Sequence, residues 1–182
     1  MWSPRGPLPR DELHDVYRAH VSAVYAFFTY SVSHDVAEDL TAATFERVVR
    51  HWGRFDPARS SQRTWILSIA RHLLTDHFRR RSHRAGPSLE EYPELVDRAP
   101  AVEDPAERQA SIETLREWLV RLHPREREVV ALRYGADLSS AAIARTLGTT
   151  EANVLQISSR ALRRLRAELE QIDDRAELSD TA

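Results

Sequence analysis

The chain has 182 residues, 42% of them apolar, with 26 basic residues against 28 acidic ones and no cysteine. This suffices for one domain or two small ones with cores of their own, and it excludes a disulfide frame or a thiolate metal site. No apolar run approaches the ~18 residues of a membrane span, and MWSPRGPLPR lacks the apolar stretch of a signal peptide, so a cytoplasmic protein is expected.

Residues 1–9 read as an N-terminal extension. A first helix follows, with Leu13, Val16, Tyr17, Val21, Val24 and Phe28 on one face at spacings of three and four. Val36, Ala37, Leu40, Phe45, Val48, Val49 and Trp52 mark a second helix in the same way. Gly53 and Pro57 bound a polar connection, GRFDPARSSQR. Trp65, Ile66, Ile69, Ala70, Leu73 and Leu74 mark a third helix that ends in RRRSHR. No stretch alternates with period two, so strands are not expected.

Charge then shifts. Residues 1–84 carry 13 Arg and 9 acids, whereas residues 85–112 carry 2 Arg and 7 acids. The acidic stretch also holds Pro87, Pro93, Pro100 and Pro105, which rule out one long helix, and 85–105 reads as a linker. A second block, 106–170, begins with a helix to about residue 122 that turns Ile112, Leu115, Leu119 and Leu122 inward. Pro124 suits the first turn of the next helix, which is predicted to run to about Tyr134. Gly135 allows a turn, and a short helix follows with Ala142, Ile143 and Leu147 inward. Gly148 permits a left-handed turn and Thr149 or Thr150 a cap. The last helix puts Val154, Ser158, Ala161, Leu165 and Leu169 inside and Glu151, Leu155, Gln156, Ser159, Arg163 and Arg166 outside. Residues 171–182 are an acidic tail. The expected fold class is all-α, two small helical domains joined by an acidic, Pro-containing linker, with a helix-turn-helix in the second.

In such a motif the second helix enters a major groove by its N-terminal end. The motif order of both blocks goes further. AEDLTAATFERVVRHWGRFDP, RTWILSIARHLLTDHFRRR and LHPREREVVALRYGADLSSAAIARTLG together resemble the extracytoplasmic-function (ECF, group IV) sigma factors of the sigma-70 family, over about residues 10–170. The resemblance implies sigma region 2 at 10–84, which binds core RNA polymerase and reads the −10 element. It implies sigma region 4 at 106–170, which reads the −35 element. Core RNA polymerase and promoter DNA are the implied partners. An anti-sigma factor is a further one, since many members are held by such a protein docked between their two domains.

By this resemblance, Asp39, Leu40, Phe45 and Val48 contact the polymerase, although the three apolar residues can equally be core. Arg54, Asp56, Arg59 and Ser60 belong to a loop that captures a flipped base of the −10 element, with Phe55 either at that base or in the core. Trp65, His72, Asp76, Arg79 and Arg80 extend the −10 surface; residues 72, 76, 79 and 80 share one helix face, suited to phosphates of a melted strand. Thr150, Glu151, Asn153, Leu155, Gln156, Ser159, Arg160, Arg163 and Arg164 are expected at the −35 duplex. Four positions depart from the family pattern. Ala42 stands where Gln is frequent, His72 where Asn is usual, and Leu155 and Ile157 replace the usual Lys and Arg.

Two other readings explain less. His34-Asp35 is a bare pair, and His77 turns about 100° away from His72 and Asp76, so no metal site assembles; no cofactor, metal or catalytic residue is expected. A stand-alone helix-turn-helix regulator leaves the first domain without a task and needs more basic charge to hold a duplex unaided. A sigma factor gains from two weak sites joined by a tether. The linker of about 21 residues spans at most roughly 70 Å, close to two turns of duplex.

Overall fold

The computed structural model describes residues 10–85, 118–119 and 121–179. The N-terminal extension, nearly all of the linker and most of the helix expected at 106–122 lie outside the described residues. Among the described residues every regular element is helical. They are α1 (Arg10–Thr29), α2 (His34–His51), a 3-10 turn (Trp52–Arg54), α3 (Gln62–Ala85), α4 (Pro124–Val130), a π turn (Ala131–Gly135), α5 (Ser140–Leu147) and α6 (Glu151–Ser179).

α1, α2 and α3 build the first block. Val24, Phe27, Phe28, Val48, Ile66 and Leu67 are fully buried between them; each such side chain stabilises the fold by about 1.5–3 kcal/mol. Thr41 and Thr44 are buried too, and their hydroxyls donate to the carbonyls of Ala37 and Leu40 one turn back. The inner stripes are narrower than the periodicity suggests. Tyr17 and Val49 are exposed; Tyr17 stands edge-on against the buried Phe45 ring, centroids 4.7 Å apart.

The second block begins at a capping box. His123 Nδ1 accepts from the Arg125 N–H, and Glu126 Oε2 accepts from the His123 N–H, so two otherwise orphaned donors are satisfied just ahead of Pro124. The α-helix expected to reach Tyr134 stops at Val130. It opens into a π turn in which the Ala136 N–H donates to the Ala131 carbonyl at 2.9 Å. The wider turn puts Ala131, Leu132 and Ala136 all in the core. Ser139 then caps α5 by accepting from the Ala142 N–H. Gly148, at φ +61°, makes the left-handed residue that ends α5.

The two blocks share one core. Val129, Leu132, Leu138, Ile143, Val154 and Ile157 belong to the same buried cluster as Phe27, Phe28, Ile66 and Leu74. A satellite of Leu119, Leu122, Val130 and Ala161 lies beside it, with Tyr30 packed against it.

Candidate nucleic-acid interface

On α2 the four candidate residues divide. Asp39 is exposed and Leu40 half-buried. Phe45 and Val48 are core residues, 5% and 0% exposed, so their side chains present nothing to a partner and the surface strip narrows to Asp39 and the edge of Leu40. The 3.6-residue period accounts for it: Phe45 and Val48 follow Thr41 and Thr44 on the inward face.

The loop after α2 stands on an aromatic base. Phe55 is buried, with its ring 5.3 Å from Trp52 and 5.4 Å from Trp65. Trp65 is half-buried in that group, so both rings are occupied inside the protein. Asp56 Oδ1 accepts from the Ala58 N–H at 2.9 Å, and its carbonyl accepts from the N–H groups of Arg59 and Ser60, which makes it the organiser of the turn. Arg54 and Arg59 extend from the loop into solvent, and Ser60 is half-buried. Ser61 accepts from the Thr64 N–H and starts α3.

Along α3, His72 is exposed and its Nδ1 lies 2.6 Å from the Ser68 carbonyl. A carbonyl only accepts, so the proton sits on Nδ1 and Nε2 is left outward as a lone-pair acceptor in the neutral ring. Asp76 is tied to Arg47 of α2 at 3.8 Å and to Arg79 at 3.4 Å. Arg79, Arg80 and Arg81 are exposed in sequence, a basic helix end on which Asp76 orients one guanidinium. The neighbouring His77 is held below its ordinary pKa by burial and by the Arg81 and Arg80 charges.

α6 presents the second surface. Thr150 Oγ1 accepts from the Asn153 N–H, and Asn153 Nδ2 donates to Thr149 Oγ1 at 2.9 Å. Asn153 is thus engaged with the turn that starts the helix. Glu151, Leu155, Gln156, Ser159, Arg160 and Arg163 are all exposed on the outer face. Arg164 is exposed as well, and it binds the buried Glu126 at 3.0 Å. Of the two unusual apolar residues, Ile157 is inside, 4% exposed, and Leu155 is outside, 48% exposed.

Periodicity and motif order do not identify a group of residues that joins the blocks. Arg71 Nε donates to Glu128 Oε1 at 2.6 Å, and Arg63 lies 3.6 Å from Asp137. No local pattern marks pairs that are 57 or more positions apart. His34 is absorbed structurally, between the Tyr25 hydroxyl and Glu38. Among the described residues no group of three or more His, Asp or Glu side chains is placed to hold a metal, and no helix is long and apolar enough to cross a membrane.

Comparison with known proteins agrees with this layout. The Sigma-70 region 2 family model matches residues 16–84 and the Sigma-70 region 4 model residues 118–167. The ECF RNA polymerase sigma factor BldN of Streptomyces coelicolor is 33% identical over 153 residues, which is 82% of this chain and 57% of that protein. The chain thus spans little more than half the length of that relative. The RNA polymerase sigma factor CarQ of Myxococcus xanthus is 32% identical over 125 residues, covering 68% of this chain and 69% of CarQ. The fold is also that of RpoE of Bartonella quintana, solved with its anti-sigma factor NepR, at a TM-score of 0.72 and 24% identity over 88% of this chain and 96% of that one.

Proposed function

The chain belongs to the ECF RNA polymerase sigma factors of the sigma-70 family, and from that premise we propose that it binds core RNA polymerase and directs it to particular promoters. The first block takes the −10 element and the second the −35 element. It acts in the cytoplasm and does no chemistry of its own. An anti-sigma factor is a further partner that membership of the family implies.

The observation that carries this reading is the outer face of α6. A capped helix N-terminus, an exposed run of Glu151, Leu155, Gln156 and Ser159, and then Arg160 and Arg163 follow the order a groove requires. Base-reading groups stand first and phosphate-binding groups behind them. On the first block, Arg54 and Arg59 of the loop and Arg79 and Arg80 of α3 supply charge for a melted strand. Asp39 and the edge of Leu40 are the polymerase-facing part of α2. Phe55 and Trp65 act from beneath the loop by holding it, and Asp56 by shaping its turn.

The test is transcription in vitro with purified core polymerase, this protein and a library of genomic fragments from its host, followed by mapping of the 5′ ends. The expected result is a set of starts that share two sequence elements and vanish when the protein is omitted. Active core enzyme that gives no start dependent on the protein overturns the proposal.

A further inference from the structure

α6 continues past the part of the chain that resembles region 4. That match ends at residue 167, whereas the helix runs on to Ser179. Its charges fall in two opposite blocks. Residues 160–166 hold four Arg and no acid, and residues 168–177 hold five acids and one Arg. For a lone helix this order is the wrong way round. The macrodipole favours anions toward the N-terminus and cations toward the C-terminus, yet the last turn of α6 carries no basic residue. Arg160 with Arg164 and Glu170 with Asp174 are like-charge pairs four positions apart, which weaken an isolated helix. A continuous helix cannot fold its acidic half back onto its own basic half.

Apolar residues follow the same stretch. Leu155 and Leu162, seven positions apart, are 48% and 43% exposed. Leu162, Leu165, Leu169 and Ile172 recur at spacings of three, four and three, the a/d pattern of paired helices. An antiparallel second α6 centred on Ala167 brings Leu162 level with Ile172 and Leu165 level with Leu169. The same register sets Arg160 level with Asp174, Arg164 with Glu170 and Arg166 with Glu168. One register thus matches the apolar and the charged patterns together. Two-fold symmetry repeats every match, and each acidic half then lies along the basic half of the other helix.

We propose that α6 is a self-association surface, and that its occupant is α6 of a second copy of this chain in antiparallel register about Ala167. In that dimer the acidic half of one copy covers Arg160 and Arg163 of the other. Both are exposed in the single chain and stand ready for −35 phosphates, so the second copy and the −35 duplex compete for them. This consequence rests on the proposed function, whereas the self-association does not. By linkage, the duplex weakens the dimer by the same factor as the dimer weakens duplex binding.

Sedimentation equilibrium of the full-length protein tests the proposal. The expected result is a concentration-dependent dimer in the micromolar range that weakens as salt rises. Two double reversals probe the register, Glu168→Arg with Asp174→Arg in one variant and Arg160→Glu with Arg166→Glu in the other. Arg164 is left in place because it holds Glu126. Each variant alone should dimerise about tenfold or more weakly, with helicity by circular dichroism unchanged. Mixed in equal amounts, the two should form a heterodimer, because every matched pair is again of opposite charge. A monomer at every concentration, a reversal variant that dimerises like the unsubstituted protein, or a mixture that stays monomeric overturns the proposal. Promoter duplex recovered from the transcription test should convert dimer to monomer, and a dimer that binds it unchanged overturns the competition. Failure of the proposed function shows separately, as absence of any recovered promoter, while sedimentation of the variants alone and mixed still decides the self-association.

Discussion

The ring of Phe55 lies 5.4 Å from that of Trp65, so the loop proposed to take a flipped base is anchored on the start of α3 by a buried aromatic contact. Phe55→Ala removes a core ring of 2% exposure and should cost about 3–5 kcal/mol of stability. Chemical denaturation measures this directly. A cost below about 1 kcal/mol would mean that the ring is not committed to the core, and a base-facing role for Phe55 would return.

Acid should weaken the fold before its carboxylates titrate. His20, tied to Gln62, is lowered from the ordinary 6.5, first by burial and then by the Arg63 charge, against the Gln62 hydrogen bond that raises it. His77 is lowered in the same sense. The unfolded chain therefore takes up protons at higher pH than the folded one. The contribution of these rings to stability is complete above about pH 6.5 and is lost as pH falls through their folded pKa values. The expected outcome is a melting temperature that drops between pH 7.5 and 5.5, and a smaller drop in His20→Gln. An equal drop in that variant would assign the effect to other groups.

Those findings also mark what the sequence carried. Apart from the helix expected at 106–122, most of which lies outside the described residues, the helices of both blocks, the Gly148 turn and the outward side of α6 are legible because each depends on local spacing: apolar residues every three or four positions, and turn and cap residues between them. Ile157 shows where that stopped. Its departure from the family's usual basic residue suggested a changed reading face, yet it points inward and only Leu155 changes that face. Phe45 and Val48, which the family resemblance places at the polymerase and the apolar spacing equally allows in the core, are core residues. The π turn and the pairs Arg71–Glu128 and Arg63–Asp137 had no local signature, because they depend on how separate helices meet.

On α2 the exposed carboxylate is the part left to face a partner. Asp39→Arg reverses one charge at an exposed helical site, where substitutions usually change stability by no more than about 0.5 kcal/mol. Affinity for core polymerase should fall about tenfold or more, since reversal converts an attraction at the interface into a repulsion. Calorimetric or surface-binding titration with core enzyme checks this, with circular dichroism as the control for the fold. Unchanged affinity would remove Asp39 from the polymerase contact and leave only the edge of Leu40.

On α6 the order of side chains predicts two different defects. Gln156 is exposed near the capped start of the helix, beside Leu155. An amide there can pair with an adenine edge, and the Leu155 side chain can meet a thymine methyl. Gln156→Ala should therefore change −35 preference at one base pair by about 1–3 kcal/mol. Arg163 is exposed two turns further along, suited to a phosphate, and Arg163→Ala should weaken all promoters alike and flatten the salt dependence. Arg164 differs from both, because it also holds Glu126, whose carboxylate completes the cap of α4. Arg164→Ala should combine a uniform loss of affinity with a loss of stability of about 1–3 kcal/mol, since it removes a charged partner of a buried carboxylate. Selection from randomised −35 sequences, with binding measured at several salt concentrations, separates the three. A selected sequence that is unchanged in Gln156→Ala but altered in Arg163→Ala would exchange their roles, and a neutral Arg164→Ala would place its guanidinium at the DNA alone.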